Sequence, residues 1–255
     1  MPTLIPTLIG ASLTLMAALG AAPAFAADAQ KTVVLVHGAF ADASSWSKLV
    51  PLLEAKGLKV VAVDNPLTTL KADADAATAA INAAPGPVIL VGHSWGGVVI
   101  NDAGNNDKVK ALVYVAAFAP PPGVSINDLG KGQPPAPWLA ELVPDASGNV
   151  KLSSNAVAKF FAQDLPADEI KTVDAAQGAT SPGLFAESVA DPAYAHKPSW
   201  YIVAKQDGMI APDAERAMSA GIKATVTELD GSHVIMLSKP ADVAAAILAA
   251  ADSIK

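Results

Sequence analysis

The chain contains no cysteine. That absence removes disulfides, thiolate metal sites, a cysteine nucleophile and a lipoprotein anchor. Charge is also scarce. Only 16% of the residues are charged, acids outnumber bases 24 to 17, and no basic stripe is present. Nucleic acid is therefore not expected as a partner. No glycine-rich stretch has P-loop or dinucleotide spacing, and no metal motif occurs, so no metal or other cofactor is expected. What the chain does have is apolar residues, 52% of its 255. That is enough to build the core of one sizeable α/β domain.

Residues 1–26 carry no charged side chain, not even a Lys or Arg near the start. Their apolar centre, 8–19, leads to Ala24-Phe25-Ala26, a small-residue site of the kind that signal peptidase cuts. The segment reads as a secretory signal, with a mature chain of 27–255. The expectation is export to the periplasm or the medium, with no stable membrane anchor after cleavage.

From 31 onward, strands and helices alternate. The β-branched run at 31–37 (KTVVLVH) reads as a buried parallel strand. A helix capped by Ser44-Ser45 is expected through about 56, with Trp46, Leu49, Leu52 and Leu53 on one face. A strand at 58–63, an alanine-rich helix at 72–84, a strand at 88–91 and a strand at 109–116 follow. Asp73-Ala74-Asp75 reads as an exposed helix start. The alternation breaks at Pro120-Pro121-Pro122-Gly123. From about 120 to 198 there is no strong strand, but there are helical stretches at 156–162, 167–176 and 182–189. Such an insertion sits above a sheet as a cap. A strand at 200–204, a helix at 214–220, a strand at 224–229 and a helix at 241–254 complete the chain. This order implies a parallel sheet with right-handed crossovers.

The most informative stretch is 87–97 (PVILVGHSWGG). It places G-x-S-x-G between a strand and a helix, the setting of a nucleophile elbow. The turn is tight enough that side chains at Gly92 or Gly96 would collide with neighbouring backbone. Ser94 stands on a strained corner near a helix N-terminus, where amides favour developing negative charge. A serine hydroxyl needs a base. Of the four histidines, His233 alone lies past the last strand on a loop at the sheet's carboxyl edge. His196 reads as a surface residue. Asp207, directly after the 200–204 strand, is the expected acid, with Asp213 in reserve. The chain order Ser94, Asp207, His233 is that of an α/β-hydrolase triad. Two backbone N–H groups complete the set, those of Trp95 and Ala39, with Phe40 as an alternative to Ala39.

Taken together, VLVHGAF, VGHSWGG, KQDGMI and GSHVIMLSKP make the chain resemble the α/β-hydrolase superfamily. Within it, the chain is similar to the branch of small esterases that holds plant methyl-ester esterases and hydroxynitrile lyases. The resemblance implies a mostly parallel sheet with flanking helices and a helical cap. Only a short stretch precedes the first parallel strand, so about six strands are expected in place of the family's eight. The lyases carry a lysine after the histidine and a threonine in the oxyanion loop. Here Val234 follows His233 and Gly38 follows His37, which favours ester hydrolysis. The expected activity is cleavage of a small carboxylic ester through an acyl-enzyme. The alternatives are a carbon–carbon lyase, a cofactor-free perhydrolase and a non-catalytic binding protein. Phe40, Trp138 and Phe161 are the expected substrate-contacting residues.

Overall fold

The computed structural model describes residues 1–3 and 30–254, and the signal reading of 1–26 lies almost wholly outside it. Six parallel strands form the main sheet: β1 (Thr32–Val36), β2 (Lys59–Val63), β3 (Val88–Ser94), β4 (Val109–Ala117), β7 (Ser199–Ala204) and β8 (Thr225–Leu229). Their spatial order is β2-β1-β3-β4-β7-β8. The order reverses between β1 and β3, and open α/β sheets place their sites outside the carboxyl ends at such a switch. The central strands are continuous apolar runs because helices cover both faces. Val33, Leu35, Ile89, Leu90, Val113 and Ile202 are all fully buried.

The helices follow the predicted alternation, with one correction near the start. The helix expected at 44–56 is broken in two. A 3₁₀ turn at Ala43–Trp46 is capped by Asp42, not by Ser44 or Ser45, and α1 restarts at Val50–Glu54. Pro51 has no N–H to continue the ladder, so it sits where a helix begins. Leu52 consequently faces solvent, while Leu49 and Leu53 stay in the core. Helix α2 (Leu70–Ala83) begins at Thr69, whose side chain accepts the Ala72 N–H. Helix α3 (Gly96–Ala103) leaves the elbow directly. Helix α7 (Pro212–Gly221) joins β7 to β8, and α8 (Ile235–Ser238) and α9 (Pro240–Asp252) close the chain. Lys31 Nζ closes the end of α9 by donating to the Ala251 and Ile254 carbonyls, both at 2.8 Å.

The insertion between β4 and β7 forms a cap that is not purely helical. It holds α4 (Ile126–Leu129), a hairpin of β5 (Leu142–Pro144) and β6 (Val150–Leu152), the single turn α5 (Ser154–Ala156), and α6 (Ala167–Ala175). The hairpin escapes a periodicity reading because each strand is three residues long. Its turn is built by Asp145, whose Oδ1 accepts the Ser147 and Asn149 N–H groups, and by Gly148 at φ +84°. The helix expected at 156–162 becomes a wide turn in which the Ala162 N–H reaches the Val157 carbonyl. The cap meets the sheet's helices through Lys48 and Glu169, paired at 2.5 Å.

Candidate active site

The corner between β3 and α3 places Ser94 at φ +53°, a left-handed conformation that L-residues avoid. The surrounding glycines allow it. A Cβ on Gly92 would stand 2.4 Å from the Gly96 carbonyl oxygen, and one on Gly96 would stand 2.4 Å from the Val36 carbonyl oxygen. On β4, Ala116 is an extra residue at φ +43°. The pairing there skips from His93–Val115 to Ser94–Ala117, a bulge opposite the elbow. The loop after β1 comes so close that a Cβ on Gly38 would lie 2.6 Å from the Ser94 Cβ.

Asp207 and His233 meet beside this corner. His233 Nδ1 donates to Asp207 Oδ2 at 2.5 Å, and both side chains are buried. The other carboxylate oxygen accepts the Met209 and Ile210 N–H groups at 2.6 and 2.9 Å. With its Nδ1 proton committed to Asp207, a neutral His233 leaves Nε2 bare, the form a base requires. No hydrogen bond joins Ser94 to His233 among the described residues, where His233 bonds Asp207 and, through its carbonyl, His93. Asp213, the reserve acid, is exposed and paired with Arg216, away from the histidine. His196 is exposed and bonded to Asp191, as its surface reading predicts.

The two other buried histidines are braces. His93 Nε2 donates to the His233 carbonyl at 2.9 Å, and its ring lies 4.6 Å from the His233 ring. Burial, and next the neighbouring His233, hold the His93 pKa well below its ordinary value, so it stays neutral. His37 Nε2 accepts the Asn65 N–H, its Nδ1 donates to the Gly38 carbonyl, and burial lowers its pKa too. Together these bonds tie the loop after β1 to the end of β2.

Two backbone donors remain free at the corner. The Trp95 and Ala39 N–H groups have no partner among the described residues. The Phe40 N–H is engaged by Thr180 Oγ1 at 3.1 Å, which leaves Ala39 as the donor of that loop. Phe40 itself sits at φ +59°, so this loop is strained as well. The Trp95 indole is held by Asp73, whose Oδ2 accepts its Nε1–H at 2.8 Å while Oδ1 accepts the Leu67 N–H. Asp73 is thus fully buried, contrary to the exposed helix start expected for it, and desolvation raises its pKa. The carboxylate turns inward because the indole and the Leu67 amide supply the partners that burial requires. Asp75 alone faces solvent, paired with Lys71.

A cleft of about 320 Å³ opens beside the histidine. Phe40, Lys48, Phe161, Val173, Val234 and Leu237 are among its walls, and Ser94 is not. The wide turn of the cap brings the Phe161 ring to 5.2 Å from the His233 ring. Phe40 and Phe161 both line this cleft. Trp138 does not line it. Its indole donates to the Met209 carbonyl and its ring packs edge-on against Phe40. Sequence reasoning missed Asp73, His93 and Thr180. Only His93, adjacent to the serine, carried a signal that could have found it.

Comparison with known proteins agrees with this geometry. A family model described as "Alpha/beta hydrolase family" matches residues 33–246. Methylesterase 2 of Arabidopsis thaliana is 30% identical over 253 residues, covering 86% of this chain and 95% of its own. Salicylic acid-binding protein 2 of Nicotiana tabacum is also 30% identical, covering 86% and 96%. Among solved structures, polyneuridine aldehyde esterase superimposes with a TM-score of 0.75 at 23% identity, covering 86% of this chain and 98% of that one. A pyrethroid hydrolase superimposes at 0.73 with 25% identity, covering 88% and 98%. The family model spans most of the chain, including nearly all of the parallel sheet, and the chain belongs to the alpha/beta hydrolase family.

Proposed function

We propose that the protein is a serine esterase that cleaves a small carboxylic ester through an acyl-enzyme on Ser94. The observation that carries this reading is the buried Asp207–His233 hydrogen bond beside a serine held at φ +53°. In the proposed cycle His233 Nε2 takes the Ser94 proton as Oγ attacks the ester carbonyl. The tetrahedral oxyanion is received by the Ala39 and Trp95 N–H groups. Collapse expels the alcohol, which takes the proton from His233. A water then attacks the acyl-enzyme by the same route and releases the acid. Asp207 holds the histidine tautomer and stabilises the imidazolium. Esterases among the relatives support ester hydrolysis as the reaction class, and the Phe40–Phe161 walls suit an ester with an apolar acid or alcohol part. Residues 1–26 fit export of this enzyme, which mass spectrometry of the secreted N-terminus would test.

The decisive experiment is Ser94→Ala assayed with a p-nitrophenyl ester. Turnover should drop by at least ~10³-fold with folding intact. A fluorophosphonate should label Ser94 in the parent and nothing in the variant. Unchanged turnover in the variant would overturn the assignment.

A further inference from the structure

Glu215 is fully buried on α7 and has no place in the cycle above. Its Oε2 accepts the Ala204 N–H at 3.0 Å, at the end of β7. Its Oε1 has no donor among the described residues. Asp207 meets Glu215 at the same strand end, because the Ala204 carbonyl accepts the Asp207 N–H at 3.1 Å while the Ala204 N–H is held by Glu215. A buried acid therefore points at the acid of the proposed triad, and two ionised carboxylates cannot share such a site.

The hydrogen bonds decide which of the two keeps a proton. Asp207 already accepts three N–H donors, from His233, Met209 and Ile210. Glu215 accepts one. Donors stabilise the ionised form, so the charge belongs on Asp207 and the proton on Glu215. We infer that Glu215 is a neutral carboxylic acid whose O–H donates to Asp207 and fixes the carboxylate that orients His233. This makes Glu215 a positioning residue, and the inference rests on the serine-esterase reading. Burial first, and the Asp207 charge second, push the Glu215 pKa far above that of an ordinary carboxyl, in the same direction. The other groups that face it are the Tyr201 phenol on β7, hydrogen-bonded to the Ala117 carbonyl, and the neighbouring Arg216 guanidinium. Arg216 is turned outward, onto Asp213 and Glu228.

Two readouts test this, and the first does not depend on activity. Glu215 would hold its proton in the fold and lose it on unfolding above about pH 4.3, so stability must fall as pH rises. Relative to Glu215→Gln, the folding equilibrium constant of the parent should drop close to tenfold per pH unit between about pH 5 and pH 8. A flat ratio would mean an ionised Glu215 and would overturn the inference. The second readout is kinetic. Glu215→Gln keeps an N–H donor for Asp207 and an acceptor for the Ala204 N–H, so its kcat should stay near that of the parent. Glu215→Met removes the donor, and its kcat should fall about tenfold or more with KM unchanged. Equal kcat in the two variants would reduce Glu215 to a packing residue. Should the methionine variant fail to fold, Glu215→Asn shortens the side chain by one methylene, so that its N–H falls short of Asp207 while the residue stays polar, and the same split is read there. A silent Ser94→Ala would sink the esterase reading while leaving the stability slope intact, so the two failures are distinguishable.

Discussion

β3 and the β5–β6 hairpin both bear on the Ser94 corner, and they are held in place by different forces. Every residue of β3 is buried, and Val88 through Val91 are wholly so. The hairpin leaves Val143 half exposed and is held by its Asp145 turn and by a bridge between Val150 and Thr180. In the sheet the corner is positioned by close packing, where each side chain makes many small contacts. The cap, although Val150 and Leu152 of its hairpin are buried, reaches the corner's Phe40 backbone through a single hydrogen bond that Thr180 accepts. A sheet substitution should therefore be read mainly in stability, and a cap substitution mainly in geometry at the corner.

The largest expected effect falls where the sheet delivers its acid. Asp207→Asn leaves the fold intact and puts His233 in the wrong tautomer, with a drop of up to ~10⁴-fold in kcat. Asp213→Asn, on the exposed end of α7, should stay within about twofold, a shift within the ordinary scatter of surface substitutions. Ester hydrolysis measured on both variants checks the assignment. If the second were crippled and the first silent, the sheet would be presenting the wrong carboxylate.

Stability is the next largest effect. Leu90→Ala in β3 should cost about 2–5 kcal/mol in denaturant unfolding, because a fully enclosed cavity remains. Leu139→Ala in the cap, where the side chain is 44% exposed, should cost within about 0.5 kcal/mol. Similar losses in the two variants would erase the distinction between packed sheet and tethered cap.

The buried histidines give a pH test. His93 has a folded pKa well below its ordinary value, so the fold keeps it neutral while the unfolded chain charges. Its contribution is complete above the unfolded value near ~6.5 and is lost as pH falls below that. Between pH 6.5 and 5, His93→Asn should lose less stability than the parent, by up to ~2 kcal/mol. Thermal melts across that range would show the curves converging.

A comparable effect tests the tether itself. Thr180→Val keeps the shape but leaves the Phe40 N–H without its acceptor. Losing a buried partner costs about 1–3 kcal/mol, of which a part should appear as a roughly tenfold fall in kcat through the Ala39–Phe40 loop. A change in melting temperature alone, with kcat unmoved, would show that the loop does not depend on the cap.

Ser94, Asp207 and His233 stand out in the sequence because each lies at or just past the end of a strand whose apolar run marks it. Loops at the carboxyl edge of a parallel sheet are where reactive groups gather. The six strands were legible for the same reason. The supporting residues were not. Asp73 meets the Trp95 indole across α2 and α3, Thr180 meets Phe40 across 140 positions, and Glu215 meets Asp207 from within a helix. Each looks like an ordinary surface polar residue until the fold brings its partner, because local spacing carries no information about non-local pairing. The cap hairpin stayed hidden because three residues per strand are too few to show alternation. The broken helix at 43–54 was overlooked although Pro51 announced it.

The Thr180–Phe40 bond also bears on how such an enzyme could diversify. A cap that merely covered a pocket could be exchanged like a lid on a box. This one supplies an acceptor to the strained backbone next to the free Ala39 N–H. Transplanting a foreign cap to recruit a different ester would break that joint unless the newcomer brought an oxygen to the same spot. Substrate range and rate are therefore inherited together here, and grafts that keep 178–180 should be the ones that stay fast.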